Sequence, residues 1–260
     1  MPEPKAQHPV DEAPPSVQMR GQKLPMRKRR LIFIGALVAF IILFLRIMPA
    51  GTRVALLVSL FETRYVLTGL IIFVLVTLSL LWSAGQKFDA RLFLFINLRG
   101  YHSLWIDRLM TLVTQLGSFP FAAVMIGVEI LLNHRRQAIV MVMGQITLWI
   151  VVEMVKALTD RSRPFTMLSG ARVVGWRALG MSFPSGHTSQ AFFLATLVTH
   201  NYLLPVWASI LVYALAVSVG FTRIYVGAHY PRDVVAGALL GSLWGVISIL
   251  VDNYLIHLTV

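Results

Sequence analysis

Residues 65–83 read YVLTGLIIFVLVTLSLLWS, a run of nineteen residues without one Asp, Glu, Lys, Arg or His. A helix needs about 20 predominantly apolar residues to cross the hydrocarbon core of a bilayer, so this stretch is long enough to span a membrane by itself. Comparable runs recur at about 31–49, 118–133, 137–157, 187–204, 206–222 and 234–252. They predict an all-α fold, a polytopic transmembrane helical bundle of about six to seven spans. A transmembrane β-barrel shows alternating segments of roughly 10 residues instead.

The chain is 57% hydrophobic and 13% charged, about half the charged share of a soluble domain. It has no cysteine, which excludes disulfides, thiolate catalysis and thiolate metal sites. The net charge of +12 does not read as nucleic-acid binding. Lys and Arg gather at the ends of apolar runs and in the tail, at Lys23, Arg27, Lys28, Arg29 and Arg30, where they suit anionic lipid headgroups. Residues 88–114, FDARLFLFINLRGYHSLWIDRLMTLVT, mix charge, aromatics and apolar residues. They predict two short amphipathic interfacial helices with a break at Gly100. The loop from about 159 to 186, with Arg161, Arg163, Arg172, Trp176 and Arg177, reads as resting on the headgroup layer.

Three blocks hold the unusual polar residues: KALTDRSRP at 156–164, PSGH at 184–187 and TRIYVGAHYPRD at 222–233. An even number of crossings separates any two of them, so all three reach the same side of the membrane. One shared pocket then holds Lys156, Arg163, Arg223, Ser185, His187 and His229, with Asp233 as its carboxylate. Arg meets two phosphate oxygens at once and Lys adds a compact charge. Ser185 and Gly186 sit at a helix start, where free amides and the dipole favour an anion. A phosphoryl group fits this inventory. Asp233 can accept the Nδ1 proton of His229 and leave the other ring nitrogen free to attack phosphorus. His187 can donate a proton to the leaving oxygen.

These blocks resemble the type 2 phosphatidic acid phosphatase superfamily, whose pattern is K-x6-R-P, P-S-G-H and S-R-x5-H-x3-D. The resemblance covers roughly residues 88–250, with Thr222 standing where the family usually has Ser. It implies a membrane phosphatase acting on a lipid phosphate or diphosphate through a phosphohistidine. His229 is similar to the nucleophile, Asp233 to its orienting partner and His187 to the general acid. Lys156, Arg163, Ser185, Gly186 and Arg223 are similar to the phosphate-binding shell. The implied chemistry is metal-independent and without a cofactor, and a lone Asp among cations is a poor Mg²⁺ site. Polyprenyl diphosphate, phosphatidate, phosphatidylglycerol phosphate and lipid A phosphate all remain open as substrates. Transfer to an acceptor lipid, or lipid-phosphate transport without catalysis, are the alternatives.

The expected organisation is a disordered basic tail at 1–30, N-terminal spans at 31–87 and a catalytic membrane domain at 88–252, in the cell (inner) membrane. The Arg-rich tail favours a cytoplasmic site, whereas the resemblance and the loop at His134–Arg136 favour an outward one. Glu153 is expected to pair with Lys156, and Glu129 to snorkel toward His134, Arg135 and Arg136. Gly237, Gly241 and Gly245 read as a small-residue packing face.

Overall fold

The computed structural model describes Arg46, residues 64–98 and residues 103–259, with side chains described through Asn253. The expected tail, the expected span at 31–49 apart from Arg46, and Gly100 lie outside the described residues. Helix α1 (Arg64–Leu78) runs into a 3-10 turn ending at Leu81. Helices α2 (Ser83–Leu98) and α3 (Leu104–Thr114) follow, then a 3-10 turn (Gln115–Gly117) and α4 (Phe119–Leu131). The rest is α5 (Arg135–Thr159), the single turn α6 (Pro164–Met167), α7 (Gly186–Asn201), α8 (Val206–Tyr225) and α9 (Pro231–Thr259).

Local chemistry sets the ends near the three blocks. Asp160, in the left-handed conformation at φ 48°, closes α5. Pro164 opens α6 and Pro231 opens α9, at the helix position where proline's missing N–H is not needed. Asp233, in the first turn of α9, accepts the Tyr230 N–H at 2.8 Å, so its carboxylate reaches back over the helix start.

Among the described residues, α1 with its 3-10 turn, α5, α8 and α9 are each long and apolar enough to cross a membrane. The α3–α4 pair, bent by 53°, makes a fifth if it is one broken span. The expected six to seven include the run at 31–49, which lies outside the described residues apart from Arg46. The run at 118–133 is only part of the bent pair. The run at 187–204 is a helix of sixteen residues, about 24 Å long and short of the ~30 Å hydrocarbon core. Nine of its residues are buried, among them Thr188, Ser189, Gln190 and Thr196, because α9, α8 and α5 pack around it. Its polar residues are tolerated by protein neighbours that lipid would not supply.

The glycine face of α9 makes the tightest of these contacts. A Cβ on Gly237 would lie 2.6 Å from the Ser185 carbonyl oxygen, and one on Gly245 2.7 Å from Thr196 Cβ; at Gly241 it would collide with the Ser189 backbone. The stripe is a helix-packing surface, as expected. Around it, Met141, Leu148, Phe183, Phe193, Leu197 and Leu240 form the main apolar core. Outward faces are apolar too, for example Leu70, Ile71 and Leu75 on α1 and Trp207, Ile210 and Leu211 on α8.

Residues 88–114 do form two helices, α2 and α3, on either side of residues 99–102. The boundary expected at 87–88 lies within α2, and α1 packs on α9. Glu129 does not snorkel. It is 1% exposed, and its carboxylate accepts from Tyr202 Oη at 3.1 Å and pairs with His134 Nδ1 at 3.0 Å.

Candidate active site

The C-terminal ends of α5 and α8 and the N-terminal ends of α7 and α9 meet at one end of the bundle. A cavity of about 390 Å³ lies there, and its lining includes Lys156, Arg163, Gly186, His187, Arg223 and His229. Six of the eight site residues read from the sequence therefore share one space. The other two, Ser185 and Asp233, are fully buried behind its wall. The Ser185 amide donates to the Asp233 carbonyl at 3.0 Å, and its hydroxyl accepts from Thr188 Oγ1 at 2.9 Å. Ser185 therefore gives α7 no side-chain cap, and the first-turn amides of α7 keep their donor capacity.

His229 sits in the turn between α8 and α9. Gly227, at φ +87°, makes that turn, and a Cβ there would strike the Arg172 carbonyl oxygen; only glycine fits both demands. His229 Nδ1 lies 2.7 Å from the Ser182 carbonyl oxygen. That oxygen can only accept, so Nδ1 carries the proton and Nε2 holds the lone pair. The Asp233 carboxylate stands farther off, 3.6 Å from Nδ1, and accepts the Ser182 hydroxyl at 2.5 Å. The expected direct His–Asp bond is thus shared with Ser182, through its carbonyl and its hydroxyl. Burial, reinforced by the nearby Arg163 and Arg223 charges and opposed by Asp233, pushes the His229 imidazole down to about 3. It is neutral at neutral pH.

Two of the cations around Nε2, Arg163 and Arg223, are held in place without an ion-pairing carboxylate among the described residues. Arg163 is 5% exposed, and its guanidinium donates to the carbonyls of Gly180 at 3.0 Å, Leu179 at 2.8 Å and Ala228 at 3.0 Å. Its Nη1 also lies 3.2 Å from His229 Nε2. Arg223 is 6% exposed; one nitrogen donates to Thr114 Oγ1 at 2.9 Å, and its Nε is buried without a partner among the described residues. Buried charge is ordinarily paired, so this pocket is built for an anion. Lys156 bonds Glu153 at 2.7 Å, the pair expected from their spacing.

A second layer holds Asp233, and sequence reasoning missed it. Arg161 donates to Asp233 Oδ1 at 2.5 Å, to Gln86 Oε1 at 2.9 Å and to Asp89. Its guanidinium lies 4.1 Å from the Tyr230 ring centroid. Asp89 in turn accepts from the Arg232 amide at 3.1 Å and Nε at 3.2 Å. Arg161 is 4% exposed, so neither it nor Arg163 rests on headgroups as the loop reading expected, whereas Trp176 and Leu179 are 98% and 91% exposed. Asp89 stands between Lys87 and Arg91 in the sequence, so nothing local marked it as the buried partner of Arg161.

The PAP2 superfamily model matches residues 136–256. The undecaprenyl-diphosphatase of Sulfolobus acidocaldarius is 28% identical over 192 residues, covering 71% of this chain and 89% of that relative. Among solved structures, LpxE of Aquifex aeolicus is 26% identical with a TM-score of 0.56, covering 62% of this chain and 93% of the other. The first transmembrane PAP2 type phosphatidylglycerolphosphate phosphatase of Bacillus subtilis shares the fold, with a TM-score of 0.62 at 22% identity and coverage of 73% and 96%. Helical bundle, cation-lined pocket and relatives together define an integral membrane lipid phosphatase. Residues 136–256, which hold all three blocks, resemble the PAP2 superfamily.

Proposed function

We propose that the protein releases phosphate from a lipid phosphate or diphosphate, of the polyprenyl diphosphate, phosphatidate or phosphatidylglycerol phosphate class, with His229 as nucleophile. The observation that carries this is the neutral Nε2 of His229 beside a cavity where Arg163 and Arg223 lie buried without an ion-pairing carboxylate among the described residues. Nε2 attacks phosphorus and the lipid oxygen leaves. His187, on the same cavity wall, is pushed down to about 2 by burial and by the Arg223, Lys156 and Arg163 charges. It takes up a proton as the phosphate anion enters and offsets those charges, and passes it to the leaving oxygen. Arg163, Arg223, Lys156 and the amides of Gly186 and His187 hold the equatorial oxygens as charge shifts in the transition state. Asp233 and Ser182 hold Nδ1 and its growing positive charge. Water then gives a proton back to His187 as it attacks the phosphohistidine, and the P–N bond breaks to release phosphate and restore the neutral His229 ring. Ser185 acts from behind the wall, fixing the start of α7 to Asp233. No step is given to a metal or a cofactor.

The relatives' substrates, an undecaprenyl diphosphate and a phosphatidylglycerol phosphate by their names, support this substrate class. The proposal extends to the cell (inner) membrane as the site of residence, supported by the apolar spans and the basic residues at their ends. A phosphate-release screen of the purified protein in detergent, over farnesyl diphosphate, phosphatidate and phosphatidylglycerol phosphate, tests the function. Release from at least one is expected, and it should be abolished by His229→Ala. Release from none sinks the proposal.

A further inference from the structure

Arg163 and Arg223 both line the catalytic cavity, but they are held very differently. The Arg163 guanidinium donates to three backbone carbonyls and lies beside His229 Nε2. The Arg223 guanidinium has one hydrogen bond among the described residues, from Nη1 to Thr114 Oγ1 at 2.9 Å. Thr114 is the last residue of α3 and is 5% exposed. It lies outside the three blocks and outside residues 136–256. The segment that follows it is pinned to the site. A Cβ on Gly117 would stand 2.4 Å from the His187 carbonyl oxygen and 2.8 Å from Val219 Cγ1, so the 3-10 turn lies directly against α7 and α8. The Ser118 carbonyl accepts from Gln190 Nε2 on α7. The Thr114 hydroxyl is thus fixed by the packing of its own segment.

We infer that Thr114 is a positioning residue for the proposed reaction: its hydroxyl aims the Arg223 guanidinium at the oxygens of the bound phosphate. Holding a long arginine side chain in one conformation costs rotamer freedom. The bond to a fixed hydroxyl meets that cost before substrate arrives, so the donors of Arg223 are in place when the anion enters. Thr114 stands behind the cavity wall rather than in it, and it therefore acts through Arg223. A segment that carries no motif residue thus completes the phosphate-binding shell. The inference rests on the reading of Arg223 as a phosphate ligand.

The test measures competitive inhibition by inorganic phosphate, in detergent, on a lipid phosphate that the wild type hydrolyses. Thr114→Val removes the hydroxyl at nearly constant volume and should weaken inhibition roughly tenfold or more. Thr114→Ser, which keeps the acceptor, should recover most of that loss. Arg223→Gln should weaken inhibition at least as much by itself. Adding Thr114→Val to it should then change the inhibition constant less than about twofold, because the group that Thr114 aims is gone. A merely structural role would instead lower the unfolding midpoint and add its loss to that of Arg223→Gln. Unchanged inhibition in folded Thr114→Val, or additive losses in the double variant, overturns the inference. If Thr114→Val does not fold, Thr114→Cys, close in size with a weaker acceptor, is read in its place against the same outcomes. If Arg223→Gln leaves inhibition unchanged, the reading of Arg223 as a phosphate ligand has failed, and the inference with it. If only the Thr114 variants leave it unchanged, the role of Thr114 alone has.

Discussion

The carboxylate of Asp233 stands 3.6 Å from Nδ1 of His229, with the Ser182 hydroxyl bonded to the carboxylate at 2.5 Å and the Ser182 carbonyl taking the Nδ1 proton at 2.7 Å. Two acceptors therefore hold the ring: a neutral carbonyl in the resting state, and a carboxylate close enough to stabilise the positive charge of a reacting imidazole. Asp233→Asn should lower kcat about 10²- to 10⁴-fold. Ser182→Ala, which keeps the carbonyl, should cost much less, since it only frees the carboxylate to move. Steady-state kcat on one lipid substrate separates them. Equal losses would mean that the hydroxyl, not the carboxylate, does the holding.

Arg161 lies between two carboxylates, Asp233 and Asp89. Removing one member of a buried ion network strands the others, at a cost of about 3–5 kcal/mol. Arg161→Met should therefore lower the thermal unfolding midpoint in detergent sharply. Adding Asp89→Asn to that variant should cost less than Asp89→Asn in the wild type, because the charge is already stranded. Strictly additive losses would mean that the two residues are not coupled.

The His229 imidazole, lowered from 6.5 to about 3, fixes two pH dependences. The fold favours the neutral ring, whereas the unfolded chain takes up a proton below about 6.5. The stability contribution of the neutral ring is complete above about 6.5 and is lost as pH falls toward about 3. His229→Gln should flatten the decline of the unfolding midpoint across that window. In catalysis, kcat/KM corrected for substrate ionisation should show no acid limb near 6.5 arising from His229. A limb near 6.5 that persists when phosphorylation of the nucleophile is measured in single turnover would contradict a neutral resting ring.

The chain has no native cysteine, so single-cysteine variants report sidedness cleanly. Ser169 is exposed in the segment between α6 and α7, at the end of the bundle that holds the cavity, and Asn133 is exposed in the turn between α4 and α5 at the other end. Ser169→Cys and Asn133→Cys should label with an impermeant thiol reagent from opposite faces of oriented vesicles. Labelling of both from one face would contradict the arrangement of spans.

The spans and the three blocks were legible because their signals are local: runs of apolar residues, and polar residues at fixed spacings near helix ends. What stayed hidden is set by distant partners or by main-chain atoms. Arg161 looks like a headgroup anchor until Asp89, 72 residues away in sequence, is brought beside it. Glu129 was expected to snorkel, but Tyr202, 73 residues on, supplies a hydroxyl that lets it stay buried. The Ser182 carbonyl leaves no mark in a sequence, since every residue has one.

The most direct test of the central claim is to trap the phosphorylated protein. The purified enzyme is mixed with ³²P-labelled lipid phosphate, quenched in alkali within one turnover and mapped by mass spectrometry. An alkali-stable, acid-labile phosphoryl group on Nε2 of His229, absent from His229→Ala, is the expected result. Label on His187 or on a hydroxyl side chain, or full turnover by His229→Ala, would contradict it.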